Sequence, residues 1–452
     1  VEISGNTGPQ HESCFRLDEL FFSTTDHAGV IAAGNDVFVR VSGYSADELI
    51  GRPHNIIRHP DMPRVVFQLL WDYLLADKSV VAYVKNRAKS GAYYWVCALV
   101  APISGGFLSI RLKPSTDLFQ QIQGLYAQLL VREKEIESQG GSRKAAIAVS
   151  RPLLDEAVRA LGYPGYDELM CDLLVAEATS RTRQLAESPL ARAGTQSTSG
   201  MSVGVTQMAA DCGMLVQEIS GMSRQLATLI ELDHEMLADT QFMLGLGRGL
   251  RRLAINAQIR AAGLGENGAA LRTVAEQIGG GARSISTEID AMAGEMKRAA
   301  RELKQAAFQI VTADLSLEMT SIFIGELAAA ESNAGDAGRN IAQLAEVAGN
   351  NVRRACRQAD TAARELSRLQ RHFATFLQEL RIMEILHVSG RIEAVRCAEG
   401  GSVLNILDQV RADTGTARER LSALQGLATR ASLRPPAADV IERNLVSLLK
   451  VG

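Results

Sequence analysis

"NIIRHPDMPRVVF", Asn55 to Phe67, sets Arg58, His59 and Asp61 side by side between Pro60 and Pro63. The proline rings fix φ and remove two backbone donors, so the run reads as a stiff turn. It delivers the chain into a helix carrying Phe67, Leu70 and Trp71. Residue types alone leave two readings of the charges. In one, Asp61 caps that helix and Arg58 pairs with it at the surface. In the other, Arg58 grips a pyrophosphate or carboxylate bidentately, while His59 and Asp61 hydrogen-bond a heterocycle or ribose.

Around this run, composition divides the chain. All eight tyrosines and both tryptophans precede residue 170, and residues 190–434 contain no proline. The front carries strand-like runs such as "AYYWVCALVAPI" and "GFLSIRL", separated by glycine turns. The proline-free remainder, rich in Ala, Leu, Met, Arg, Glu and Gln, is a length only helices fill. A chain of 452 residues predicts two to four domains. With a net charge of −3 there is no global basic footprint for nucleic acid. Six scattered cysteines form no CxxC pair, which points to a reducing cytoplasm. The sequence carries no signal-peptide pattern and no long uncharged run, so we expect no direct membrane span. Seven scattered histidines, with no metal-ligand spacing, Ser/His/Asp set, phosphate loop or kinase ATP motif, predict a protein that is not an enzyme. His234 and His387 fall on or beside the helical seams and read as hydrogen-bonded core histidines.

The helical part keeps a seven-residue lattice. Steps of seven from Met208 reach Leu215, Met222, Leu229, Met236, Met243, Leu250, Ala257, Leu264, Leu271, Ile278, Ile285 and Met292. A second seam runs from Ile341 through Ala345, Ala348, Val352, Ala355, Ala359, Ala362, Leu366, Leu369, Phe373, Phe376 and Leu380 to Met383. A 3.5-residue repeat holds one stripe against a partner, so these are seams of a coiled coil or long bundle. Each arrives at a similar glycine-bearing segment, "LAINAQIRAAGLGENGAAL" (253–271) and "LHVSGRIEAVRCAEGGSVL" (386–404). At constant offset Leu253 matches Leu386, Ile259 matches Ile392, Ala261 matches Ala394, Glu266 matches Glu399 and Gly268 matches Gly401. We read two helical hairpins with tips near Gly265–Gly268 and Glu399–Gly401. One chain carrying two hairpins could build a four-helix bundle alone.

The front segment, about residues 15–118, resembles the PAS domain of aerotaxis receptors. The resemblance rests on "GYSADELIG", on RHPDMP followed by LW, and on KNR and YYWV. It implies a five-stranded antiparallel sheet with flanking helices and a bound FAD reporting redox state. Carried over residue by residue, it implies Asn35, Arg58, His59, Asp61 and Asn86 as cofactor-binding residues, with Trp71 and Trp95 in the core. Val80 stands in the neighbourhood where aerotaxis receptors usually place a tryptophan, which predicts a missing aromatic wall. Haem held by His54 or His59 is the alternative cofactor, and an empty domain the third case.

"LAINAQIRAAGLGENGAALRTVAEQI" is similar to the hairpin tip of methyl-accepting chemotaxis proteins. That resemblance implies a partner-binding tip at Asn256, Arg260, Gly265, Glu266, Gly268, Glu399 and Gly401. The partners would be a chemotaxis histidine kinase and coupling protein, or a receptor array. Arg248, Arg251, Arg252 and Arg260 depart from the family pattern and would repel one another without an acidic partner. The expected architecture is an α+β PAS sensor (1–118), a helical linker (119–200), a first hairpin (201–330), and a second hairpin with a tail (331–452). The expected function is a soluble transducer for energy or aerotaxis signalling, homodimeric or monomeric. The alternative is a cofactor-free scaffold of a receptor array.

Overall fold

The computed structural model describes residues 11–187, 203–329, 334–397, 400–431, 441 and 443–444. The front is a five-stranded antiparallel sheet of the PAS type. Its strands are β1 (Phe21–Thr25), β2 (Ile31–Gly34), β3 (Val80–Arg87), β4 (Tyr93–Ile103) and β5 (Gly106–Leu112), in spatial order β2-β1-β5-β4-β3. Between β2 and β3 the chain forms α1 (Asp36–Ser42), α2 (Ala46–Leu49), a 3₁₀ turn at His54–Ile57, and α3 (Arg64–Leu75). α1 ends on Gly43 at φ 72°, a left-handed stop that favours glycine. α3 begins directly after Pro63, where the sequence anticipates a helix start.

Strand alternation sorts the sheet's side chains onto two faces. Ser23 and Thr25, Val84 and Asn86, Ala98 and Val100, and Phe107, Ser109 and Arg111 share one face with α3. The other face carries Tyr83 and Trp95. Over it lie α4 (Asp117–Ser138) and α6 (Tyr166–Glu187), joined by α5 (Arg143–Ala160). Phe119 of α4 meets the Tyr83 ring at 5.0 Å and the Trp95 ring at 5.3 Å between centroids. Within this helical segment α4 and α6 pack on the sheet, and α5 packs against α4 and α3. Phe22 on the same outer face meets Phe323 edge-on at 5.0 Å.

The remaining helices are α7 (Val203–Ser223), α8 (Leu226–Gly263), α9 (Ala269–Ala329), α10 (Ala334–Arg396) and α11 (Gly401–Arg430). The chain divides into two compact units. One holds residues 1–224, 307–356 and 436–452, and the other residues 225–306 and 357–435. In the second unit one chain supplies four packed helical stretches. Asp239 of α8 pairs with Arg420 of α11 at 2.7 Å, His372 of α10 meets Glu288 of α9 at 2.9 Å, and Gly390 of α10 lies against Leu407 of α11.

The seam positions from Leu215 to Met292 are buried, except Leu264 at the turn, which is half-buried. Those from Ile341 to Met383 are all buried. The side chain of Met208 lies outside the described residues. Of the matched positions of the two glycine-bearing segments, Leu253 and Leu386 are half-buried, Ile259 and Ile392 exposed, and Ala261 and Ala394 buried, whereas Gly268 is buried and Gly401 exposed. His387 is a core histidine, 3.6 Å from Asp408. His234 is exposed, one step off its seam, against the expectation of a core position. Among the described residues one helical stretch, Ala269–Glu326, is long and apolar enough to cross a membrane. Inside the protein, 72% of its most apolar window is buried.

Candidate functional site

The inner face of the sheet, α3 and the 52–58 segment enclose a cavity of about 300 Å³. That volume lies at the small end of ligand sites and suits one fused ring system. Phe67, Leu70, Trp71 and Leu74 enter from α3 at helical spacing, and Phe107 closes the wall with its ring 5.5 Å from Trp71. Trp71 is half-buried and lines the cavity, so it is a site residue and not the core residue the sequence suggested. Val80 does not line the cavity at all; it is buried in β3 opposite Val100. The cavity's aromatic lining comes from Phe67 and Trp71 of α3 and Phe107 of β5.

Against this apolar wall stand donors. Arg111 is 2% exposed, and its Nη2 reaches Ser23 Oγ at 2.9 Å and His54 Nε2 at 2.7 Å. Among the described residues no Asp or Glu lines the cavity. Burial lowers the Arg111 pKa to about 10, still a cation at neutral pH. Burial, and then the Arg111 charge, lower His54 to about 3, so its neutral ring accepts from Arg111 at Nε2 and carries its proton on Nδ1. Asn86 is buried, and its Nδ2 has no hydrogen-bond partner among the described residues. A buried, unpaired amide donor in a cavity wall is costly unless a ligand accepts from it. Arg58, also lining the cavity, lays its guanidinium 4.1 Å over the Phe67 ring, and its backbone bridges Asn86 on β3.

Of the residues inferred from sequence, Arg58 and Asn86 line the cavity, and Asn35, His59 and Asp61 do not. Asn35 is a junction: its Oδ1 accepts from Phe22 N and Phe38 N, and its Nδ2 donates to Leu20 O and Glu326 Oε1. His59 Nδ1 accepts the Asp61 N–H at 3.1 Å, and Asp61 Oδ2 takes Lys85 Nζ at 2.9 Å. Burial lowers His59 to about 4, with the Lys85 charge adding to it. This cluster braces the proline turn on the outer side of β3, where Lys85 also covers the Tyr93 ring. Haem fits poorly, because Nε2 of His54 is committed to Arg111 and His59 lies off the cavity.

The reading of Asp61 as the α3 cap with Arg58 as its surface partner does not hold, since Asp61 pairs with Lys85 instead. The α3 N-terminus is capped from outside by Glu133 of α4, which accepts from Arg64 N at 2.6 Å and Val65 N at 3.0 Å. Sequence reasoning missed Ser23, Arg111 and Glu133. Arg111 was visible as a charge at an inward position of "GFLSIRL", two residues beyond Ser109. Glu133 carries no local signal, since its partners lie 69 residues away.

At the 265–268 turn, Asn256, Arg260, Gly265 and Glu266 are exposed and Gly268 is buried. Gly401 is exposed at the start of α11, and Glu399 lies outside the described residues. Arg251 donates to Ser286 at 2.5 Å, while Arg248, Arg252 and Arg260 remain exposed.

Residues 31–108 match a family model described as the PAS fold. Over 117 residues the chain is 40% identical to the aerotaxis receptor of Escherichia coli (strain K12), covering 25% of this chain and 23% of that protein. It is 27% identical over 105 residues to the nitrogen fixation regulatory protein of Klebsiella pneumoniae, covering 22% of this chain and 21% of that protein. The chain thus matches less than a quarter of the length of these curated relatives. Among solved structures, the light-state blue-light photoreceptor Aureochrome1 LOV aligns at 22% identity and TM-score 0.21. It covers 25% of this chain and 91% of that one. The front of this protein is a PAS domain similar to that of an aerotaxis receptor.

Proposed function

We propose that this protein is a cytoplasmic sensory transducer of the energy or aerotaxis type. Its PAS cavity binds FAD, and its helical bundle passes the state of that cofactor to a chemotaxis histidine kinase and coupling protein, or to a receptor array. The observation that carries the reading is a cavity pairing an aromatic wall with Asn86, Arg58 and Arg111, all donors, and no lining carboxylate. A flavin ring matches that set, being flat, apolar on its faces and rich in acceptors along one edge. Asn86 would donate to the ring edge, and Arg58 and Arg111 would face its electron-rich or anionic parts. When bound, FAD supplies reversible electron uptake, which makes redox state the signal. The protein's own part is to hold the ring, exclude water with Trp71 and Phe107, and keep a fixed positive charge at the cavity floor.

The test is titration of the purified full chain with FAD, followed by quenching of flavin fluorescence. Saturable one-to-one binding, weakened about tenfold or more by Asn86→Ala, is the expected result. Absence of saturable binding would overturn the reading and favour a scaffold with an empty PAS domain.

A further inference from the structure

Helix α6 carries two buried, opposite charges one turn apart, Glu177 (0% exposed) and Arg181 (5% exposed). At i,i+4 spacing such residues normally pair with each other. Here each is committed to a different element. Glu177 collects five donors: Tyr83 OH at 2.6 Å, Ser115 N at 2.7 Å, Ser115 Oγ at 3.0 Å, Thr116 Oγ1 at 2.7 Å and Thr116 N at 3.3 Å. Arg181 forks onto Glu318 of α9 at 2.7 and 2.8 Å, and also donates to the carbonyls of Leu17 and Asp18.

The groups Glu177 holds lie directly behind the cavity. Tyr83 sits on the outer face of β3, next to Val84 and three residues before Asn86, both of which line the cavity. Ser115 and Thr116 follow β5 immediately, four and five residues after Arg111. A buried carboxylate with five donors, and a buried bidentate guanidinium, are geometrically stiff. A shift of β3 or β5 is therefore carried along one turn of a rigid helix to α9.

We propose that α6 is the coupling element of this protein: Glu177 reads the position of the cavity strands and Arg181 delivers it to α9 through Glu318. This names the transmission route of the sensor reading above and rests on it for direction of signalling. The route itself is testable without any flavin, so the two can fail separately.

The experiment is hydrogen exchange by mass spectrometry on the full chain, without added cofactor, comparing wild type with Glu318→Gln. Glu318 touches neither Glu177 nor the cavity. The amides of Ser115 and Thr116 report the grip of Glu177 directly. If α6 couples the two ends, Glu318→Gln raises exchange in the 113–116 segment and in β5 about tenfold, at a distance from the change. Ser321→Ala, an exposed change on the same helix, leaves those segments as in wild type. Exchange that rises only in α6 and α9 would overturn the proposal, since a local structural role predicts that pattern. Should Glu318→Gln fold poorly, Glu318→Asp, which keeps the charge and shortens the reach, is read by the same two criteria.

Discussion

Arg111 defines the chemistry of the cavity, because a buried cation with no carboxylate partner among the described residues is unfavourable on its own and useful only against a ligand. Arg111→Met should therefore separate stability from binding. The ligand-free domain should melt at a higher temperature, while affinity for FAD falls about tenfold to a hundredfold. Thermal melts beside a fluorescence titration check both arms, and a variant that loses stability but binds as before would contradict this role. His54 gives a second prediction. Its folded pKa, about 3, lies below the ordinary 6.5. Between those values the unfolded chain binds a proton that the folded ring refuses, so stability is intact above pH 6.5 and declines as pH falls towards 3. The loss is about 2–4 kcal/mol, the lower end reflecting the ring's partial access to solvent. His59, lowered to about 4, adds to the same acid limb. His54→Gln should flatten that limb in pH-dependent urea unfolding without abolishing it.

At the scale of elements, α3 depends on a helix that follows it by more than forty residues. Pro63 offers no side-chain cap, and Glu133 supplies the acceptors for Arg64 N and Val65 N while also taking the Ser150 hydroxyl. Glu133→Ala should cost the PAS domain about 1–3 kcal/mol. Tryptophan fluorescence in urea reports it cleanly, because both tryptophans, Trp71 and Trp95, lie in that domain. A change within 0.5 kcal/mol, about that of an ordinary surface substitution, would show that the cap is dispensable. The same helix pair shows what sequence could and could not supply. Strand-like alternation and the proline turn made strands and the start of α3 legible, because those signals are local in the chain, whereas Arg58 and Asn86 were legible only through the resemblance to aerotaxis-receptor PAS domains. The outward turn of His59 and Asp61 was not legible. It depends on Lys85 and Tyr93 arriving from β3 and β4, and residue types alone cannot choose between two faces of a loop. The aromatic lining was not legible for a similar reason: Trp71 reaches the cavity through the packing of α3, whereas Val80, on the same face of β3 as Val84 and Asn86, is not among the residues that line the cavity.

At the scale of the whole molecule, the heptad seams and the repeated glycine-bearing segment anticipated long helices, and the matched pairs Leu253/Leu386, Ile259/Ile392 and Ala261/Ala394 occupy like environments while Gly268 and Gly401 do not. One chain supplies all four helical stretches of the second unit, with buried seams along them. A bundle closed within one chain should melt at a temperature independent of protein concentration over about a hundredfold range. A midpoint that climbs with concentration would show that a second copy completes it. We propose above that the PAS cavity, with its donors and aromatic wall, holds a flavin. The most direct measurement is the visible absorption spectrum of the purified full chain, before and after incubation with FAD and removal of the excess. The expected result is the two-banded spectrum of an oxidised flavin, retained at one equivalent per chain and bleached by a reductant. A folded chain that stays colourless after incubation would contradict it.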